Sequence, residues 1–207
     1  MFTRLNTILI PEENAQNSIL KLASRIFDGK EELFHIDNKT YYAHITLYSP
    51  EYPTHNVDKV FAAVQAMSNA TKPLTLDFND FHTGGGYLGL DFIKDKPIDR
   101  LHKMVLEKLN PLREGRIRDK YADEIKEGKY SPDEVKYIKK FGYHYVLNSY
   151  HSHLSLGRFS SEEIAVQVKS GLTKDLVPPQ IIFSHIAVSE MGPNGTCTKI
   201  LKKYQLL

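Results

Sequence analysis

Two stretches decide the fold of this chain: Tyr41-Tyr42-Ala43-His44-Ile45-Thr46-Leu47-Tyr48 and Tyr150-His151-Ser152-His153-Leu154-Ser155-Leu156-Gly157-Arg158-Phe159. Both read as apolar strands carrying a histidine and a hydroxyl two residues apart. Side chains alternate across a strand, so residues i and i+2 share a face. His44 and Thr46 therefore project together, with Ile45 and Leu47 behind them. His153 and Ser155 repeat the arrangement in front of Leu154 and Leu156. One pair means little among nine histidines; two pairs in matching contexts suggest one site with two imidazoles and two hydroxyls.

Outward from these strands, the rest of the chain falls into a repeated order. Leu5 to Ile10 reads as a strand, followed by a helix opened by Pro11, with Ala15, Ile19, Leu22, Ala23 and Ile26 on one face and Gly29 at its end. After the first histidine strand, Thr54 is the expected cap of a helix carrying Val57, Val60, Phe61 and Val64. Leu74 to Phe81 and Tyr87 to Ile93 then form a hairpin around Gly84, Gly85 and Gly86. A further helix runs from about Pro97 to Leu109. The second histidine strand is likewise followed by a helix, with Ser160 and Glu163 in a capping-box pattern, and by strands Ile181 to Val188 and Thr198 to Leu206. Gly85 lies 41 residues after His44, and Asn194 lies 41 after His153. This duplicated strand–helix–hairpin order implies an α+β fold: two pseudo-symmetric lobes with antiparallel sheets facing a central cleft, helices outside, and one histidine pair per lobe. We expect one bilobal domain over 1–207, with a helical insertion at about 113–140 that the duplication does not explain. Ser131-Pro132-Asp133-Glu134 reads as a helix start within it. The insertion is either a solvated addition or a lid over substrate.

Composition narrows the partners. The 207 residues hold 27 Lys and Arg against 25 Asp and Glu, a net charge of +2, so no broad basic field for nonspecific nucleic-acid binding exists. The single cysteine, Cys197, excludes an intramolecular disulfide framework and a cysteine zinc cluster. The first apolar stretch is too short for a signal peptide and is interrupted by Glu12 and Glu13; no apolar run reaches the length of a spanning helix. A cytoplasmic protein without membrane contact is expected.

Two imidazoles facing one site suit in-line displacement at a phosphodiester. One, unprotonated, takes a proton from water or a hydroxyl; the other, protonated, gives one to the leaving oxygen. Thr46 and Ser155 are placed to donate to the nonbridging oxygens, and the chemistry requires no metal or other cofactor. On these motifs the chain resembles the two-histidine phosphoesterases, which include 2′-5′ RNA ligase-like proteins and cyclic phosphodiesterases. Their mark is a pair of His-x-Thr/Ser motifs followed by an apolar residue, matched here by His44-Ile45-Thr46-Leu47 and His153-Leu154-Ser155-Leu156. A monomer is expected, and the resemblance implies an enzyme in which His44 and His153 act on a nucleotide or RNA-end phosphodiester while Thr46 and Ser155 bind it. A 2′,3′-cyclic phosphate or a 2′-5′ linkage is the implied target. Ligation in the reverse direction and noncatalytic binding of RNA or nucleotide in the same cleft are the alternatives.

Neighbouring residues carry weaker signals. Tyr42 and Tyr48 share the His44 face, either stacking on a base or serving as ordinary strand aromatics. His151 shares the His153 face, as a substrate contact or a surface histidine. Phe159 lines the cleft or packs. Arg158 points away from His153 by strict alternation, unless the strand ends or bulges after Gly157. His151 and His153 also read as two ligands of a metal, but no third ligand is visible nearby and the first motif stays unexplained.

Overall fold

A computed structural model describes residues 1–207. The apolar run at the start forms β1 (Phe2–Pro11), followed by α1 (Glu13–Phe27), which buries Ile19, Leu22, Ala23 and Ile26. Pro11 closes β1 rather than opening α1. It sits opposite Phe183 in the sheet, and Glu12 takes the N-cap position while its own amide bonds Ile182. A short strand unforeseen in the sequence, β2 (Glu32–His35), follows.

The first histidine strand is shorter than expected: β3 spans Ile45–Tyr48. The Asp37 carboxylate gathers the amides of Lys39, Thr40 and Tyr41 into a loop, and the Asn38 side chain takes the amide of Ala43. These side-chain bonds satisfy the donors that a longer strand would have used. β4 (Glu51–Pro53), α2 (Val57–Asn69), β5 (Leu74–Gly84), β6 (Tyr87–Phe92) and α3 (Lys96–Leu109) come next. Thr54 opens a short 3-10 turn ahead of α2 instead of capping it. The expected insertion contains α4 (Asp119–Lys126) and α5 (Pro132–Phe141), the latter opened by the capping box of Ser131 and Glu134. The chain then returns through β7 (His153–Phe159), α6 (Glu162–Ser170), β8 (Gln180–Met191) and β9 (Cys197–Gln205). Ser161, not Ser160, caps α6, because the Ser160 amide is bonded to the Glu31 carbonyl.

All strand pairs are antiparallel. They link β1, β3, β7, β6, β5 and β8 in sequence and return to β1, with β4, β9 and β2 at the margins. The duplicated units are interleaved. The hairpin β5–β6, which follows β3 in sequence, pairs beside β7; the hairpin β8–β9, which follows β7, pairs beside β1, the strand that borders β3. The second histidine strand, β7, is flanked only by strands from the other half of the chain, whereas β3 lies between β1 of its own half and β7. One core runs from Leu5 to Leu206 through both halves, so neither repeat buries its apolar side chains alone.

The insertion is docked rather than solvated. Tyr121, Ile138 and Phe141 are buried. The buried Arg113 guanidinium donates to the Arg116, Lys139 and Lys140 carbonyls, satisfying acceptors at the end of α5. Tyr48 is covered by this segment: its hydroxyl donates to Asn110 and to the Phe141 carbonyl, and the residue is fully buried. It therefore does not reach the open face that His44 shares. No helix is long and apolar enough to cross a membrane.

Candidate active site

β3 and β7 meet at a single register pair, Ile45 with Leu154. Both are buried, so their neighbours along each strand face the opposite, open side. Counting outward in an antiparallel pair places His44 opposite Ser155 and Thr46 opposite His153. Each histidine is thus beside the hydroxyl of the other motif. The two histidines stand diagonally across the seam, at backbone positions about 7–8 Å apart. That leaves room for a tetrahedral anion between the rings.

The two imidazoles are held in the same way. His44 Nδ1–H donates to the Tyr42 carbonyl at 2.8 Å, and His153 Nδ1–H donates to the His151 carbonyl at 3.0 Å. A carbonyl can only accept, so the neutral ring in each case carries its lone pair on Nε2. Burial pushes the His44 pKa below its ordinary value, against the opposing bond to Tyr42. Burial, reinforced by the neighbouring His82, pushes His153 down to about 4. Both rings are accordingly neutral near pH 7 in the free protein, and an arriving anion favours their protonation.

The hydroxyls are supported unequally. Thr46 Oγ1 accepts from the Asn6 side-chain amide at 3.0 Å, which leaves its own proton available to a ligand. Ser155 lines a shallow pocket with His44, Phe34, Ile36, Tyr41, Tyr42 and residues Asn194 to Cys197 of the β8–β9 turn. Tyr42 joins this wall, where its ring packs against Ile8, Ile10, Ala187 and Cys197.

A bulge resolves the position of Arg158. In the pairing of β6 with β7, Leu88 faces Gly157 and Gly89 faces Ser155, so one residue of β7 is left over. The extra residue shifts the alternation, placing Arg158 on the side of His153 and Ser155 and turning Phe159 into the core against Phe27, 4.3 Å away. Phe159 packs and does not line the site. The bulge needs Gly157, since a Cβ there would meet the Phe34 carbonyl at 2.6 Å. Arg158 then bridges the two turns that sit 41 residues after the histidines: Nε donates to the Gly85 carbonyl at 2.9 Å and Nη1 to Asn194 Oδ1 at 2.8 Å. Its guanidinium also lies over the Tyr87 ring.

His151 belongs to a cluster that the sequence reading missed. Asp91 lies between His82 Nδ1 at 2.6 Å and His151 Nε2 at 3.2 Å, and both rings are 5.3 Å from the His153 ring. Burial would raise the Asp91 pKa, but the bonds from His151 and His82 outweigh it and hold the carboxyl well below the usual range. The bond to Asp91 in turn raises His151. Gly89 makes room for the His82 ring, which a Cβ would strike. The missed signal lay in hairpin alternation: His82 and Asp91 fall on the face of Ser155 and His153 once β5 extends to Gly84. Asn6, a polar residue interrupting the apolar opening strand, was the corresponding signal for the support of Thr46. No group of three His, Cys, Asp or Glu side chains is arranged to hold a metal ion.

The part His82 plays in lowering His153 is measurable. In a His82→Gln variant the neighbouring imidazole and part of the enclosure are gone, so the His153 titration midpoint is expected to rise from about 4 toward, but not to, 6.5. Proton chemical shifts of the imidazole followed against pH report it directly; an unmoved midpoint would assign the whole shift to burial.

The family profile described as "Protein of unknown function (DUF1045)" matches residues 50–189, about two thirds of the chain, including β7 and the insertion. The chain belongs to the DUF1045 family. Comparison with curated proteins finds no match. Among solved structures, the DUF1045 chain is similar to Escherichia coli LigT complexed with 3′-AMP (TM-score 0.59, 14% identity, covering 100% of this chain and 99% of LigT). It is also similar to TT0787 of Thermus thermophilus (TM-score 0.55, 14% identity, 99% and 98% covered) and to Kluyveromyces marxianus Usb1 (TM-score 0.50, 10% identity, 99% and 98% covered). At these identities the similarity is one of fold, shared with LigT, TT0787 and Usb1.

Proposed function

We propose that this DUF1045 protein is a metal-independent phosphodiesterase acting on a nucleotide or RNA phosphodiester, with a 2′,3′-cyclic phosphate or a 2′-5′ linkage as its target. The crosswise seam carries the proposal: His44 beside Ser155 and His153 beside Thr46, each imidazole tied through Nδ1 with Nε2 left over. The LigT fold, known with 3′-AMP bound, supports a nucleotide phosphate as the ligand class. In the proposed reaction, phosphate binding draws a proton onto one imidazole. The other takes a proton from water through Nε2 as the water oxygen bonds to phosphorus. The bond to the ribose oxygen breaks, and the protonated Nε2–H supplies that oxygen with its proton. Thr46 and Ser155 donate to the nonbridging oxygens, while Arg158 holds the two turns beside the pocket.

The test is a panel of 2′,3′-cyclic nucleotides, 2′-5′ oligoadenylates, 3′,5′-cyclic nucleotides and RNA ends, assayed with EDTA present. Hydrolysis of a 2′,3′-cyclic or 2′-5′ substrate that EDTA does not diminish is the expected result. Nucleotide binding without turnover of any member would favour a noncatalytic cleft, and dependence on added divalent metal would overturn the mechanism.

A further inference from the structure

Arg4 takes no part in this reaction. It lies two residues before Asn6 on β1, on the same face, about 7 Å along the strand from the residue that supports Thr46. Its Nε is buried without a hydrogen-bond partner. The carboxylate opposite it in the sheet, Glu51, is already engaged: Arg116 lies 2.9 Å from it and Arg118 3.8 Å. The remaining carboxylate nearby, Asp119, is exposed and pairs with Arg116. Burial and the positive charge of Arg118 both push the Arg4 pKa down, and the opposing effects of Tyr143, Tyr121 and Glu51 do not cancel them. A partly buried guanidinium whose Nε has no partner, and whose opposite carboxylate is shared with Arg116 and Arg118, is an unfavourable arrangement until an anion arrives. The insertion contributes to it, since Arg118 and Tyr121 come from that segment and Tyr143 from the chain that follows it.

We propose that Arg4 and Arg118 form a second anion subsite that takes a terminal phosphomonoester of the substrate. This rests on the phosphodiesterase reading of the neighbouring histidines. Two guanidinium forks match a phosphomonoester dianion in charge and geometry. The substrate is then a small phosphorylated nucleotide or sugar bearing a diester at one end and a monoester at the other.

The experiment compares kcat/KM for adenosine 2′,3′-cyclic phosphate with and without a 5′-phosphate, and for a dinucleotide presenting an internal diester instead. Wild type, Arg4→Met and Arg118→Gln are assayed. The 5′-phosphate is expected to raise kcat/KM about 10- to 100-fold in the wild type, mainly through KM, and this ratio is expected to collapse in Arg4→Met and shrink in Arg118→Gln. Because the ratio is taken within one protein sample, partial misfolding does not mimic it. No 5′-phosphate advantage, an equal gain from the dinucleotide, or an advantage that survives both substitutions would overturn the subsite. Calorimetric titration with adenosine 3′,5′-bisphosphate and 3′-AMP separates the two proposals. Arg4-dependent preference for the bisphosphate without turnover of any substrate leaves the subsite standing and removes the reaction; turnover without such preference does the reverse.

Discussion

Replacing His153 with alanine is expected to lower kcat on a 2′,3′-cyclic nucleotide by about 10³-fold, and His44→Ala to do the same, because each would remove one of two positioned proton-transfer groups. KM is expected to change far less. The double variant should be barely slower than either single one, since one imidazole without its partner completes only half of the proton exchange. Both rings are partly exposed and make one side-chain bond each, to a carbonyl, so melting temperatures of the variants serve as the control for folding. Steady-state rates of the three proteins check the expectation. Single variants that retain wild-type rates, or effects that multiply fully in the double variant, would break the acid–base pair.

The neutrality of both rings shapes the pH dependence of that reaction. His153 is held at about 4 and His44 below its ordinary value, so in the free protein the form with one proton between them is most abundant on the acid side of pH 6.5. The bound phosphate, an anion between two imidazoles, restores the proton at higher pH. Substrate binding and protonation are thus linked, and Nδ1 bonding to backbone carbonyls keeps Nε2 as the reacting atom throughout.

What the sequence disclosed was whatever strand alternation controls. His44, Thr46, His153 and Ser155 reach one face because their intervening residues, Ile45 and Leu154, are buried and pair with each other. The helices were legible because their apolar faces recur at helical spacing, and α5 because Ser131 and Glu134 form a reciprocal cap. Long-range pairing was not legible. The matching 41-residue offsets suggested one unit per lobe, yet each hairpin pairs in the opposite half, a choice made by burial of both halves in one core. Arg158 and Phe159 exchanged expected faces because one extra residue entered β7 beside Gly157, a displacement that residue types alone do not signal. Tyr48 left the expected face because β3 carries one extra residue between Thr46 and Tyr48 where it pairs with β1, which turns the ring into the core beneath residues some sixty to ninety positions away. His82 and Asp91 were hidden because only the sheet order brings β5 and β6 beside β7.

His102→Gln is expected to destabilise the fold by about 2–4 kcal/mol at pH 7.5, with a deficit that narrows as the pH falls. The ring of His102 is fully buried and stacks 3.9 Å from Tyr150. Its Nδ1–H donates to the Leu47 carbonyl of β3, while Nε2 accepts the Leu147 amide, both at 3.0 Å. Leu147 stands at φ 53°, in the left-handed region that disfavours a side chain, and is held there by His102 and by the Lys94 ammonium on its carbonyl. The neutral ring therefore joins β3 to the segment that delivers His153. Burial pushes its pKa down to about 4, below the unfolded value of about 6.5. Above pH 6.5 neither state binds the proton and the full stability is present. Between 6.5 and 4 the unfolded chain binds it and the folded protein does not, so stability falls by up to about 3 kcal/mol from this residue. Glutamine has a donor and an acceptor but does not titrate, so the variant lacks this part of the slope. Urea unfolding of both proteins at pH 7.5, 6.0 and 5.0 measures it: the wild-type curve should drop more steeply and approach that of His102→Gln. Parallel curves would mean that His102 is protonated equally in the folded and unfolded chain, and that its two bonds do not depend on the neutral ring.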